Sequence, residues 1–288
     1  MSKTGTLYIC ATPIGNLEDI TFRVINTLKQ VDMIAAEDTR HSLKLLTHFD
    51  IHTPLTSYHE HNKIEKAAKL VEELLAGKDI ALVTDAGTPA ISDPGEELVR
   101  QAVGAGIPVT SLPGASACIT ALAGSALSTR RFVFEAFLPA DKKERNTILS
   151  GLEQETRTIV IYEAPHHLYK TLLDLKERLG GTRRLSICRE LTKKHEEYIY
   201  TTIDEAVARY EENEPRGEYV LVIEGYDLLK KNEIEREQYL SIPVEEHMRL
   251  YTEKGMDKKE AMKQVAADRG VAKRDIYNYL VNQKNHCN

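Results

Sequence analysis

Short apolar runs recur along the first half of this chain, each followed by a stretch with helical spacing. TLYICAT (6–12), DMIAAE (32–37), IALVTD (80–85) and PVTSL (108–112) read as strands. Between them, Ile20, Val24 and Leu28 recur at i, i+4 and i+8, and Ala67, Leu70, Val71, Leu74 and Leu75 fall on one helical face. Strand side chains repeat every two residues and helical ones about every 3.6, so this alternation admits few folds. It calls for βα units around a mostly parallel sheet, an α/β architecture.

A second series begins at Arg130–Phe132. FVFEAFLP, TIVIYEA (158–164), RLSICREL (184–191), YIYTTI (198–203) and YVLVIEG (219–225) are strand candidates, with helical stretches near 142–154, 166–179 and 204–213. The spacing predicts three parts: an α/β domain over 1–128, a second βα domain over 129–227, and a helical unit over 228–288. The last part opens on the charged run KKNEIEREQ. Three short helices then follow, separated by Gly255 and Gly270, in a helix-turn-helix pattern. This pattern fits either a helical cap or a contact with nucleic acid. From 255 to 288, seven basic residues face four acidic ones, a balance of +3 in a chain whose net charge is −6. That asymmetry favours a phosphate backbone as partner.

Composition narrows the classes. The chain of 288 residues is 42% hydrophobic and 28% charged, which suits globular domains. Cys10, Cys118, Cys188 and Cys287 form no CxxC pair, so reduced thiols in a cytosol are expected rather than disulfides or a zinc ribbon. The N-terminus has no long apolar run, so no signal peptide is expected. Gln101–Thr129 carries no charge at all. Pro108, Pro113 and several glycines argue against a membrane span, and the stretch is expected to be the most deeply buried part of the first domain.

The chemistry should lie where strands end, because open α/β sheets bind ligands beyond the carboxyl ends of their strands. Neither GxxxxGK[ST] nor a GxGxxG after a strand occurs, so nucleoside triphosphate or NAD is not indicated. Four strand exits have suitable turns: ATPIGN (11–16), DAGTPAISDPG (85–95), PGASA (113–117) and YEAPHH (162–167). The second is an eleven-residue loop without helix, longer than a strand-to-helix turn needs. Gly87 permits close backbone approach there, and PGASA opens a helix whose N–H groups can hold a carboxylate.

LYICATPIGNLEDIT, AAEDTRHSLKLL, TDAGTPAISDPG, YEAPHHL and RELTKKHEE together resemble the ribosomal RNA small subunit methyltransferase I family, which is of the tetrapyrrole methylase type. The resemblance implies two α/β domains with S-adenosylmethionine in the cleft between them, plus the small C-terminal helical unit. It implies a cytoplasmic homodimer that methylates the 2′-oxygen of a cytidine ribose in small-subunit RNA, free or within the small subunit. By position it implies cofactor contacts from Pro13, Gly15, Asp85, Ala86, Gly87, Ser116, Ala117, Tyr162, Glu163, Leu191, Gly217 and Glu218. His167 stands where the family usually has Arg, and Ala115 where it usually has Pro. A small tetrapyrrole methylase, or an RNA-binding assembly protein without catalysis, is the alternative.

Methyl transfer to a hydroxyl needs alignment and a proton acceptor. Asp38 and Glu163 are the candidate catalytic groups, with Glu37, Glu190 and Lys193 as rivals. Asp38 or Thr39 could equally be a helix cap. Arg23, Arg40, His59, Lys193, Lys194, Lys273 and Arg274 are candidate RNA contacts, and Tyr58 is a candidate stacking platform. His59 and His61 could share a strand face as metal ligands, but no further ligand of fixed spacing is visible and the chemistry requires no metal.

Overall fold

The computed structural model describes residues 4–227 and 236–286. They form two compact units, one up to Gly225 and one from Tyr226 onward. Residues 230–235 of the charged run, Cys287 and the Lys284 side chain lie outside the described residues.

The first unit contains two five-stranded sheets. In chain order the first is built from β1 (Leu7–Cys10), α1 (Phe22–Gln30), β2 (Met33–Ala36), α2 (Thr39–His48), β3 (Leu55–Ser57), α3 (Lys63–Leu75), β4 (Ile80–Val83), α4 (Gly95–Gly104) and β5 (Val109–Leu112). The strand order is β3-β2-β4-β1-β5, and every pairing is parallel, with Leu7 opposite both Ile80 and Val109. Helices cover both faces. Leu70, Leu74 and Leu98 pack with Leu7 and Ile9 on one side, while Val24, Leu28 and Leu46 pack with Cys10 and Val83 on the other. The helical periods read from the sequence supply these residues. Strand β3 has only three residues and no visible alternation, and it exists by pairing with Ile34–Ala36.

The second sheet holds β6 (Phe132–Phe137), α6 (Lys142–Leu152), β7 (Thr158–Glu163), α7 (Pro165–Leu179), β8 (Arg184–Arg189), β9 (Glu197–Thr202), α8 (Ile203–Glu212) and β10 (Tyr219–Ile223), in the order β6-β7-β10-β8-β9. Only β6 and β7 run parallel, and the other three pairings are antiparallel. This departs from a plain βα domain. The loop 190–196 between β8 and β9 is too short for a parallel crossover, which needs a dozen residues or more.

α6, α7 and α8 cover one face of the second sheet. Helix α5 (Ala117–Gly124) covers the other, with Cys118, Ala121 and Leu122 on Val160, Cys188, Val220 and Val222. The chain leaves the first sheet at β5 and at once packs on the second, which joins the two. The uncharged stretch 101–129 is therefore not the deepest part of the fold. Val103 is 61% exposed and Ile119 53%, because helices α4 and α5 each bury one face only.

The second unit has helices at Val244–Thr252, Lys258–Asp268 and Lys273–His286. Gly255 and Gly270 both have positive φ in the turns between them. Val244, Met248, Ala261, Val265 and Ile276 form its core. His247 is fully buried, stacks on Tyr239 at 4.2 Å and accepts at Nδ1 from Arg269 at 3.1 Å.

Candidate active site

Strand exits β1, β4 and β5 are bonded into one surface. The N–H of Thr12 donates to the Gly87 carbonyl at 2.9 Å, and the N–H of Gly87 returns to Thr12 at 3.1 Å. The Thr88 hydroxyl donates to the Ala115 carbonyl at 3.0 Å. Gly114 is required for this approach, since a Cβ there would lie 2.5 Å from that of Ala11. The long loop after β4 is ordered from within. Asp93 accepts from the N–H groups of Ala90 and Gly95, while Ala90 and Ser92 take left-handed conformations. Burial raises the Asp93 pKa above the ordinary carboxylate value.

Between this surface and the second sheet lies a cleft of about 450 Å³. Of the twelve positions expected to meet a cofactor, Ala86, Gly87, Ser116, Ala117, Tyr162, Glu163, Leu191 and Glu218 line it. The other four do not line it, though each is next in the chain to a residue that does. Pro13 precedes the lining residue Ile14. Gly15 lies under the loop after β8, where a Cβ would meet Lys193 Cγ at 2.4 Å. Gly217 has φ +85° and lies against Glu190, and Asp85 accepts the Asp38 N–H at 3.1 Å. Sequence reasoning missed Ile91, Phe137, Cys188 and Val220, which also line the cleft. Cys188 and Val220 come from interior strands, where nothing in the sequence says which face is which. Burial pushes the Cys188 thiol up to about 11, so it is no nucleophile at neutral pH.

Tyr162 accepts the Cys118 N–H at 3.0 Å and so holds the start of α5 against the second sheet. Burial raises its pKa to about 12. Glu163 is 4% exposed and both its oxygens are engaged, one by the Ala164 N–H at 2.8 Å and the other by the Thr171 hydroxyl. Thr171 in turn accepts from Arg145 at 2.7 Å, and Arg145 pairs with Asp174 at 2.7 Å. The carboxylate thus anchors the junction of β7 and α7.

Asp38 caps α2. Its Oδ1 accepts from the N–H groups of Arg40 and His41, and these bonds, with the Arg40 guanidinium, hold its pKa below the usual value. Its Oδ2 faces Arg40, at 3.4 Å. The rival Glu37 accepts the Thr84 hydroxyl at 2.7 Å. Lys193 bridges Glu190 at 3.0 Å and Glu218 at 2.8 Å. Burial raises the Glu190 pKa, but the Glu218 N–H and Lys193 outweigh it and the net shift is downward. Arg23, Arg40 and Lys194 are exposed, as is Arg274 beside half-buried Lys273, and His59 bonds Asn62 at the exit of β3. Tyr58 is not a platform: it is 1% exposed, because its ring fills the core under α3 and α4 while its hydroxyl donates to the Pro94 carbonyl at 2.8 Å.

Two sheets with this cleft between them fit the architecture of the tetrapyrrole methylases. Residues 6–207 match the family of tetrapyrrole (corrin/porphyrin) methylases, and the chain belongs to that family. It is similar to ribosomal RNA small subunit methyltransferase I of Halalkalibacterium halodurans, at 52% identity over 95% of this chain and 94% of that one. The protein of the same name from Bacillus subtilis is 48% identical, over 96% and 94% of the two chains. In fold it is similar to uroporphyrin-III C-methyltransferase from Thermus thermophilus complexed with S-adenosyl homocysteine, with TM-score 0.53 and 18% identity over 75% of this chain and 97% of that one. Among the described residues, no helix is long and apolar enough to cross a membrane.

Proposed function

We propose that the protein transfers the methyl group of S-adenosylmethionine to the 2′-oxygen of a cytidine ribose in small-subunit ribosomal RNA, as a cytoplasmic homodimer. The observation that carries this is the cleft, whose walls suit that donor. Ile91, Leu191 and Val220 offer apolar surface for a nucleobase, and Glu218 places a carboxylate beside it. Gly87 leaves a cradle that a side chain would narrow, since a Cβ there would sit 3.3 Å from Ile14. The donor supplies a methyl carbon activated by an adjacent sulfonium.

The chain's residues do the rest. Exit loops β1, β4 and β5 hold the methionine part, and exclusion of water and alignment of the acceptor oxygen contribute roughly 7–11 kcal/mol to lowering the barrier. Asp38 Oδ2 accepts the hydrogen bond of the acceptor hydroxyl and orients it. Glu163 acts by fixing the wall through Thr171 and Arg145. Arg23, Arg40, His59, Lys193, Lys194, Lys273 and Arg274 meet phosphates, Lys193 least strongly because its two carboxylates outweigh its charge. The relatives match this chain over 95–96% of its length, reaching into the C-terminal helices, which a small tetrapyrrole substrate would not need.

The test is transfer of label from tritiated S-adenosylmethionine to small-subunit RNA, free and as assembled subunits. Mass spectrometry should then find ribose-methylated cytidine. No label in either substrate across a range of salt concentrations would refute the proposal.

A further inference from the structure

Strand β6 lies at the edge of its sheet, and its end is irregular. Phe134 pairs with Val160, but Phe137 pairs with Tyr162, so three steps on β6 match two on β7. Within this bulge Ala136 takes φ +52°, a left-handed conformation unfavourable for a residue with a Cβ. The consequence is visible in the rings. Residues three apart on a regular strand point to opposite faces. Here Phe134 and Phe137 both meet Tyr162, with ring centroids at 4.8 and 5.6 Å. The bulge has carried Phe137 onto the cleft face. Phe134 is half-buried there, while Phe137 lines the cleft and remains 57% exposed. Bulges that re-aim a side chain are common beside active sites.

We propose that Phe137 is the platform on which the base of the target nucleotide stacks. The proposal rests on the reading that the acceptor is RNA. A 2′-oxygen reaches a recessed donor only when its nucleotide leaves the neighbouring stack, and a π-face at the rim compensates for the lost stacking. The surroundings offer hydrogen-bond donors to a phosphate. Lys142 and Lys143 open α6, balanced there by Asp141 and Glu144, and His166 and His167 stand exposed in the first turn of α7. Both helices start just beyond strands β6 and β7, whose ends carry Phe137 and Tyr162. Arg145 ties them together through Thr171 and Asp174, so the rim is held at a fixed width.

The test uses the full chain with tritiated S-adenosylmethionine and small-subunit RNA. The variants are F137A, F137L and F137W. F137A and F137L should lose roughly 5- to 150-fold in kcat/KM for RNA, while F137W stays within about threefold and donor affinity by calorimetry within about twofold in all of them. Activity of F137L equal to wild type would overturn the proposal, since apolar bulk without a π-face would then suffice. A fall in donor affinity would also overturn it, giving the ring to the donor's adenine. So would a change in molecular mass by light scattering, giving the ring to a second copy of the chain. Wild-type protein that labels no RNA would sink the RNA reading and this platform together. Labelling by wild type with F137A undiminished would sink the platform alone.

Discussion

Replacing Thr171 with valine removes one hydroxyl and almost no volume, at a position with no solvent access. That hydroxyl donates to Glu163 and accepts from Arg145 at 2.7 Å. Valine leaves a carboxylate oxygen on a residue 4% exposed, and a guanidinium on one 8% exposed, each short of a partner. Each hydrogen bond to a charged group is worth about 1.5–3 kcal/mol, and partial re-pairing of Arg145 with Asp174 should leave a loss of about 3 kcal/mol. In a unit of this size, each kcal/mol moves the melting temperature by about 2–4 °C, so a drop of roughly 6–12 °C is expected. Serine keeps the hydroxyl and loses one methyl group, at a cost of about 1 kcal/mol or less. Calorimetric scans should therefore rank wild type, T171S and T171V in that order, with a wide gap before the last. Isothermal titration should show donor affinity falling in T171V, because Glu163, Ala164 and Pro165 form one wall of the cleft. A valine variant within about 0.5 kcal/mol of wild type, the range of an ordinary surface change, would refute the role given to this relay.

Gly87→Ala places a Cβ on a residue with φ +86° and 3.3 Å from Ile14; the backbone strain should cost roughly 1–2 kcal/mol of stability in urea unfolding, and the narrowed cradle should weaken donor binding by calorimetry. Unchanged affinity would contradict the cradle. Asp38→Asn keeps a good helix cap and should leave stability nearly unchanged, while methyl transfer falls by about 10²–10⁴; an Asn variant with wild-type rate would remove Asp38 from the proton path. Asp38→Ala should also lose the cap, at about 1 kcal/mol in urea unfolding. His247 is buried, and desolvation followed by the Arg269 charge lowers its pKa below 6.5. The unfolded chain then binds the extra proton first, so the stability of the C-terminal helices is fully present above that value and is lost as pH falls through the lower folded pKa. Protection factors from hydrogen exchange over 244–286, corrected for the intrinsic slowing of exchange in acid, should fall below about pH 6.5 in wild type and not in a variant with phenylalanine at 247.

The first sheet was legible because its strands are uniformly apolar and its helices keep one period, as Val24 and Leu28 or Leu70 and Leu74 show. Its third strand was not, since Leu55–Ser57 owes its conformation to a neighbour rather than to its own pattern. The orientation of β8 against β9 follows from loop length once both ends are known, and sequence alone blurs those ends. Eight of the twelve contact positions implied by the family resemblance line the cleft; six of them lie in the strand exits 85–95, 113–117 and 162–167 that turn chemistry also marks, while Leu191 and Glu218 rest on the resemblance alone. Phe137 was not legible, because its placement depends on one extra residue in a strand, which flips every later side chain. Tyr58 failed as a platform for a related reason: an aromatic next to polar residues looks exposed until the core above it is built. The run from Gln101 to Thr129 shows that a lack of charge does not mean burial, since Ile119 on α5 and Val103 on α4 face outward.

A crystal structure with S-adenosylhomocysteine bound tests the cleft most directly. The nucleoside should rest between Leu191 and Val220, with its amino-acid end against Gly87 and the start of α5. Density for it on any other face of the molecule, with side chains filling the space between the two sheets, would contradict the assignment of this cleft as the methyl-donor site.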